Sequence, residues 1–343
     1  MKEKFVTGVS VTAAGAVPVV ATRLDPRDYV GILRARLGIR RDSYRIEPGL
    51  YAVGSPDERS EILVTSNYKL TFDTVRANIG GLDVWLLVLD TGGINVWCAA
   101  GKGTFGTEEL VRRIQLASLD KLVKHRRLIL PQLGASGVAA HLVKRRSGFT
   151  VLYGPVRASD IRAFIGARYR ADSLMRRVRF GFADRVKLIP VDFVSGARYV
   201  FGAAALFFIA AGISREGFSI QHALESFFPS AVNVLAAYCA GIVVTPMALP
   251  YIPVRSFASK GILAGLALTV GLLPFHTLGG TAISVIAWFL FIPGLASFVA
   301  MNFTGSSTYT SLSGVKKEMR IALPVQLAFA GIAFILIIAD RLF

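Results

Sequence analysis

Soft metal-binding side chains are scarce in this chain: two cysteines and four histidines in 343 residues. Cys98 falls in the more polar N-terminal half and Cys239 in a long apolar run. The two thiols therefore cannot pair, and no disulfide framework or thiolate-held iron–sulfur cluster can be assembled from them. Acidic residues are few as well, since 22 Asp and Glu against 39 Lys and Arg leave a net charge of +17. Positive charge of that size raises the question of nucleic acid, but no base-stacking or groove-reading motif accompanies it. The bland alternative is a cationic collar beside a membrane, with no nucleic acid as partner. Two phosphate-binding motifs are also missing despite partial matches. Gly101–Gly106 spells GxGxxG, yet the apolar run before it ends at Asp90 and a helix intervenes, whereas a dinucleotide fingerprint follows its strand at once. Gly101-Lys102 lacks the upstream glycine and the following Ser or Thr of a P-loop.

Hydrophobic residues are abundant, at 53% of the chain, and they concentrate toward the C-terminus. Five long apolar segments lie near residues 199–214, 231–249, 261–275, 278–300 and 321–339, which predicts a transmembrane domain of about five helices. The first and third are short for a span and are candidates for tilted or half-buried segments. Their interiors lack Asp, Glu, Lys and Arg, so the bundle reads as an anchor or docking surface in membrane lipid rather than an ion pathway. Arg168, Arg170, Arg176, Arg177, Arg179, Arg185, Lys187 and Arg198 precede the first segment, and Arg255, Lys260, Lys316, Lys317 and Arg320 flank later ones. By the positive-inside rule the N-terminal domain is cytoplasmic and the C-terminus outside, in a multi-pass protein of the inner cell membrane. The apolar start of the chain, residues 5–20, is broken by Gly, Ser, Thr and Pro. It reads as a β-hairpin turning near Gly15 rather than a signal peptide.

Before the apolar half, strand candidates at residues 62–65, 84–90, 128–130 and 150–152 alternate with helical patterns at 72–79, 107–118, 138–146 and 159–165. The alternation predicts an α/β soluble domain with a mainly parallel sheet over residues 1–166. A basic linker over 167–198 and the transmembrane domain over 199–343 follow. In such sheets ligands collect beyond the carboxyl ends of the strands. Ser66–Tyr68, Thr91–Lys102, Gln132–Ala135 and Gly154–Arg157 fall there.

Within the second of these segments stands Asn-Val-Trp-Cys-Ala-Ala-Gly-Lys, residues 95–102. Asn95 is a good N-cap, which puts Cys98 on the first helical turn, where free backbone N–H groups and the positive end of the helix dipole favour an anion. Lys102 faces the same way one turn later. Ala99, Ala100 and Gly101 have almost no side chain, so a large flat ligand could come close to the backbone. Such a sulfur could be a nucleophile, a redox thiol, a metal ligand or a buried structural cysteine.

The octapeptide resembles in full the cap-helix motif of the mercury-methylating corrinoid proteins, the HgcA family. The likeness extends, in the family's order, to Tyr44–Tyr51, Val64–Asp73, Gly103–Leu110, Leu130–Gly134 and Tyr153–Arg157, and covers roughly residues 5–166. The resemblance implies a corrinoid-binding domain related to the large subunit of the corrinoid iron–sulfur protein, with cobalamin held base-off and Cys98 as the axial ligand to cobalt. It also implies that Asn95, Val96, Trp97, Ala99, Ala100, Gly101 and Lys102 form the cofactor-binding cap, and that Thr65, Asn67, Gly134 and Gly154 contact the rest of the corrinoid. His125 and His141 do not stand in the Asp-x-His-x-x-Gly pattern by which many cobalamin proteins supply a histidine ligand. The implied activity is corrinoid-dependent methyl transfer, with methylation of Hg(II) to methylmercury from a Cys98-ligated methylcobalamin. Its partners would be HgcB, a ferredoxin-like 4Fe–4S protein that reduces the cobalt, and a methyltetrahydrofolate-linked methyl donor. Two other readings stand beside it: a membrane-tethered corrinoid methyl carrier in one-carbon or acetyl-CoA metabolism, and a non-catalytic α/β binding module.

Overall fold

The structure, a computed structural model, describes residues 3–306 and 312–343. It divides into two compact units: one holds the chain up to Ala35 together with Ile39–Val178, and the other holds Arg36–Gly38 and Arg179–Phe343.

The first unit is an α/β domain on a seven-stranded, mainly parallel sheet. Its strands are β1 (Val6–Thr12), β2 (Gly15–Val20), β3 (Gly49–Val53), β4 (Ile62–Ser66), β5 (Val84–Leu89), β6 (Arg127–Leu130) and β7 (Thr150–Tyr153). Across the sheet the order is β1-β2-β3-β5-β4-β6-β7. β1 and β2 form the expected hairpin, and β4, β5, β6 and β7 run parallel, while β3 lies antiparallel to β5. The helices are α1 (Pro26–Arg36), α2 (Lys69–Asn78), α3 (Val96–Lys102), α4 (Thr107–Leu116), α5 (Leu119–Leu122), α6 (Ala140–Ser147) and α7 (Ile161–Gly166).

Strand β5 shows why the centre of the sheet reads as an unbroken apolar run. Trp85, Leu87 and Leu89 pack in one core cluster with Val96, Leu110, Ile114 and Val143 of α3, α4 and α6. Val84, Leu86 and Val88 point the other way, into a second cluster with Phe72 and Ile79 beside α2 and Phe164 of α7. Both faces are covered, so alternation along the strand separates two cores rather than core from water.

Two elements escape the sequence pattern. Helix α1 buries only Ala35 and leaves Tyr29, Val30 and Leu33 exposed, so it carries no apolar stripe. Strand β3 is a short run entered from Pro48 and Gly49. What holds α1 is ionic: Lys69 Nζ lies 2.9 Å from Asp28 and 2.6 Å from Asp73, and Arg76 lies 2.5 Å from Asp28 and 2.8 Å from Asp73. Arg76 also donates to the carbonyls of Ala21 and Arg23 at 2.7 and 3.1 Å. Burial pushes the Asp28 carboxyl up, but hydrogen bonds from Lys69, the Asp25 backbone and Arg76 outweigh it, leaving it below the usual carboxylate range.

The residues read as the start of a linker are structured in this unit. Val156 N donates to Met175 O at 2.8 Å, and Tyr169, Ala171 and Met175 pack on the second core cluster. Arg127 lies over the Tyr169 ring at 5.0 Å. Apolar residues interleaved with the arginines account for this, because they supply a buried face that a linker does not need.

The second unit is helical: α8 (Phe182–Val186), α9 (Ile189–Gly212), α10 (Ile220–Cys239), α11 (Thr245–Met247), α12 (Phe257–Leu272), α13 (Ala282–Asn302) and α14 (Leu312–Leu342), with a hairpin of β8 (Ile213–Ser214) and β9 (Gly217–Phe218) after α9. A π-helical turn, Ala240–Val244, joins α10 to α11. Among the described residues, five helical stretches are long and apolar enough to cross a membrane: Phe182–Gly212, Ile220–Met247, Phe257–Phe275, Ala282–Asn302 and Ser313–Leu342. All but the fourth stretch are longer than the apolar run that predicted them, and the short first and third segments become 31 and 19 residues. Arg198, read as a loop cation, lies inside α9, and Lys260 lies inside α12. Lys260 is buried, its Nζ donating to the carbonyls of Leu249 and Ile252 at 2.8 and 2.6 Å. The ammonium closes the end of the preceding turn, which is how a charge is tolerated among apolar helices. Helix α12 approaches α13 closely, for a Cβ on Gly261 would lie 2.6 Å from Ala296 O.

Candidate functional site

Beyond the carboxyl end of β5 the chain turns through Asp90–Asn95 into α3, and Asn67, just past β4, organises that turn. Asn67 Oδ1 accepts from Thr91 N at 3.0 Å, Thr91 Oγ1 at 2.9 Å and Gly93 N at 3.0 Å, while Nδ2 donates to Asp90 at 3.1 Å. The single Thr91 hydroxyl proton is shared between Asn67 Oδ1 and Ile94 O, which lies 2.7 Å from Oγ1. Gly92 and Gly93 have φ of 67° and 76°, and a Cβ on Gly93 would meet Asp42 O and Arg45 Cβ at 3.3 Å. Both the left-handed turn and the close approach require glycine there.

Asn95 then caps α3 as expected, its Oδ1 accepting from Cys98 N at 3.0 Å. Its Nδ2 stands 3.5 Å from Cys98 Sγ, so one side chain fixes the helix start and faces the sulfur. Cys98 is exposed, which removes the buried structural reading. Trp97 is 43% exposed, and Gly101 and Lys102 are open to solvent. A Cβ on Gly101 would meet nothing within 4 Å among the described residues. Cys98, Gly101 and Lys102, three and four residues apart, share the outward face of the helix.

Ala99 and Ala100 lie on the opposite face. They are 0% and 4% exposed and belong with Val96 to the core cluster that includes Phe105. Their smallness serves internal packing: a Cβ on Gly137 would come 3.0 Å from Ala100 Cα and 2.2 Å from Phe105 O. Gly134 likewise leaves room for the Phe105 ring, whose Cε1 would stand 2.5 Å from an added Cβ, and Gly154 for Ile129, at 3.0 Å. Thr65 is 1% exposed. Thr65 Oγ1 and Ser66 Oγ are buried at the end of β4 without a hydrogen-bond partner among the described residues.

The structure therefore separates the expected residues into two sets. Asn95, Trp97, Cys98, Gly101 and Lys102 line an outer surface; Thr65, Asn67, Val96, Ala99, Ala100, Gly134 and Gly154 build the support beneath it. Thr91, Glu109 and Gly137 belong to that support without having been singled out as site residues, Thr91 having only opened the Thr91–Lys102 segment. Glu109 Oε1 accepts from Asp90 N at 2.9 Å and from Arg113 at 2.7 Å, pinning the loop from α4. Glu109 falls within the Gly103–Leu110 likeness, which was the available signal, whereas an isolated Gly137 offers none. Among the described residues no three His, Cys, Asp or Glu side chains come together as a metal site.

The family model for the CO dehydrogenase/acetyl-CoA synthase delta subunit matches residues 19–165. The acetyl-CoA decarbonylase/synthase complex subunit gamma of Methanopyrus kandleri is 35% identical over 127 residues, covering 36% of this chain and 27% of that protein. The corresponding gamma subunit of Methanocaldococcus jannaschii is 35% identical over 127 residues, covering 36% of this chain and 26% of its own. The corrinoid/iron-sulfur protein large subunit of Moorella thermoacetica is 34% identical over 155 residues, covering 43% and 34%. The chain thus spans about a third or less of the length of these curated relatives. Residues 19–165 form a domain matched by the CO dehydrogenase/acetyl-CoA synthase delta subunit family and related to the corrinoid/iron-sulfur protein large subunit and the acetyl-CoA decarbonylase/synthase gamma subunit.

Proposed function

We propose that the first unit binds a corrinoid over the outward face of α3 and works as a membrane-tethered methyl carrier of the one-carbon and acetyl-CoA type. The observation that carries this reading is the exposed Cys98 sulfur on the first turn of a capped helix, beyond the carboxyl ends of parallel strands, in a domain related to a corrinoid/iron-sulfur protein.

The residues present fit the group. Sulfur is a soft donor suited to a transition metal. With no cluster of three ligating side chains among the described residues, Cys98 supplies a single protein ligand, which matches a metal already held in a macrocycle. The orphan hydroxyls of Thr65 and Ser66 leave polar capacity at the same sheet edge. When bound, the corrinoid supplies a cobalt that accepts a methyl group and passes it on.

The chain's own residues orient and tune. Asn95 holds the first turn through Cys98 N and presents its amide N–H to the sulfur, which steadies the donor and moderates its electron release. Gly101 keeps the face bare between Cys98 and Lys102. Lys102 offers a cation to carboxamide or phosphate groups of the ligand, and Trp97 offers an apolar wall. The five apolar helices anchor the carrier in the inner cell membrane, with the first unit on the cytoplasmic side and the C-terminus outside. Electrons for cobalt come from a ferredoxin-like partner, since this chain has too few thiols for a cluster of its own.

A finer reading, methyl transfer to Hg(II), is favoured by residues 95–102, which resemble in full the HgcA cap-helix motif. A thiolate ligand would favour departure of the methyl group with its electrons, the form a thiol-bound Hg(II) accepts; HgcB and a methyltetrahydrofolate-linked donor complete that scheme.

The test is reconstitution of the full chain in detergent with corrinoid. Wild type should show a sulfur-to-cobalt absorption band that Cys98→Ala lacks, and an unchanged spectrum in the variant refutes the ligand assignment. Offering the methylated protein Hg(II) or an acetyl-CoA synthase-type acceptor then decides between the two readings.

A further inference from the structure

In the second unit a cavity of about 610 Å³ opens along α12, α13 and α14. Its two ends differ in chemistry. Arg255 and Lys317, both exposed, line it where α12 and α14 begin, and Ile262, Val325 and Phe329 line it further along those helices. From Lys317 to Phe329 the lining follows α14 for about 18 Å at the helical rise. That is an elongated slot with a cationic mouth.

The carboxylate at the mouth is already engaged. Glu318 Oε1 accepts from Ala258 N at 2.6 Å, where it caps the first turn of α12. At the floor Gln326 donates to Ser297 Oγ at 2.8 Å and Met301 Sδ at 3.3 Å, tying α14 to α13. Arg255 and Lys317 outnumber that one carboxylate among the lining residues, which leaves the mouth a net positive charge, and Lys316 and Arg320 stand on the same stretch of α14 outside the lining.

We propose that this slot seats one anionic phospholipid, its phosphate between Arg255 and Lys317 and one acyl chain along Ile262, Val325 and Phe329. The proposal rests on the reading that these helices lie in a bilayer. A soluble anion would use the mouth and leave the apolar length empty, and a zwitterionic lipid would bring its own ammonium toward two cations. An anionic diacyl lipid satisfies both ends, as basic pockets between membrane helices do for acidic head groups.

The test uses the full chain, exchanged into nanodiscs of equal phosphatidylglycerol and phosphatidylcholine and released for native mass spectrometry. Wild type should retain phosphatidylglycerol about tenfold over phosphatidylcholine, from the two cations at the mouth. Arg255→Gln with Lys317→Gln should abolish that preference, whereas Lys121→Gln with Lys144→Gln, two exposed lysines of the first unit, should leave it intact. Val325→Trp, which fills the slot and spares both cations, should release the lipid. Equal retention of the two lipids in wild type, or a preference surviving the Arg255/Lys317 pair, overturns the proposal. Displacement of the lipid by millimolar inorganic phosphate with Val325→Trp binding normally also overturns it, in favour of a simple anion site. A chain that leaves membranes without detergent and retains neither lipid refutes the bilayer reading itself.

Discussion

Asn67 and Thr91 are joined twice, the Asn67 Oδ1 accepting from both the backbone N and the side-chain Oγ1 of Thr91, at 3.0 and 2.9 Å. The pair locks the ends of β4 and β5 together immediately before the turn into α3. Through it, a residue that never faces the outer surface sets where Cys98 stands.

Asn67→Ala should destabilise the first unit by about 3 kcal/mol, because it strands the buried N–H groups of Thr91 and Gly93. Urea unfolding measures the loss. Hydrogen exchange across residues 91–98 should rise more than in the strands, and uniform exchange would mean that the turn does not depend on this side chain.

Small residues on the two faces of α3 should answer differently to enlargement. Ala100→Leu and Gly137→Ala force bulk into a closed contact and should cost about 2 kcal/mol each. Gly101→Leu points into open space, so it should leave stability equal or higher yet weaken corrinoid binding at least tenfold. Cys98→Ala, at an exposed position, should change stability by no more than about 0.5 kcal/mol while removing the cobalt–sulfur band. Thermal unfolding beside corrinoid titration of the four variants separates the effects, and normal binding in Gly101→Leu would refute approach over that face.

Asp28 titrates below its unfolded value, so its ion pairs stabilise the fold above about pH 4, and that contribution is lost as the pH falls through the depressed folded value. Asp28→Asn should unfold earlier than wild type at pH 7, and the two curves should converge as acid is added below pH ~4. Curves that stay parallel down to pH ~3 would place the stabilisation elsewhere.

Arg198 lies within α9, so a topology reporter belongs before the helix. Fusions after Val178 and after Phe343 should report opposite sides of the membrane, with the first on the cytoplasmic side. Both on one side would leave an even number of crossings.

The apolar run at Val84–Leu89, the alternation of strands and helices around it, the five long hydrophobic segments and the N-cap at Asn95 were all legible from residue order. Each follows from local physics: side-chain period, run length and a capping side chain act within a few neighbours. What no local pattern carries is which face a small residue turns to. Ala99, Ala100 and Gly101 are consecutive and nearly alike in size, yet packing against nearby Phe105 and against Gly137, far along the chain, puts the alanines inside and leaves the glycine outside. The bracing of the Cys98 loop by Asn67 across 24 residues, the place of β3 beside β5, and the ion pairs that hold α1 were likewise settled by tertiary structure. Such contacts depend on where distant segments meet, and their energy appears only once the sheet has brought them together.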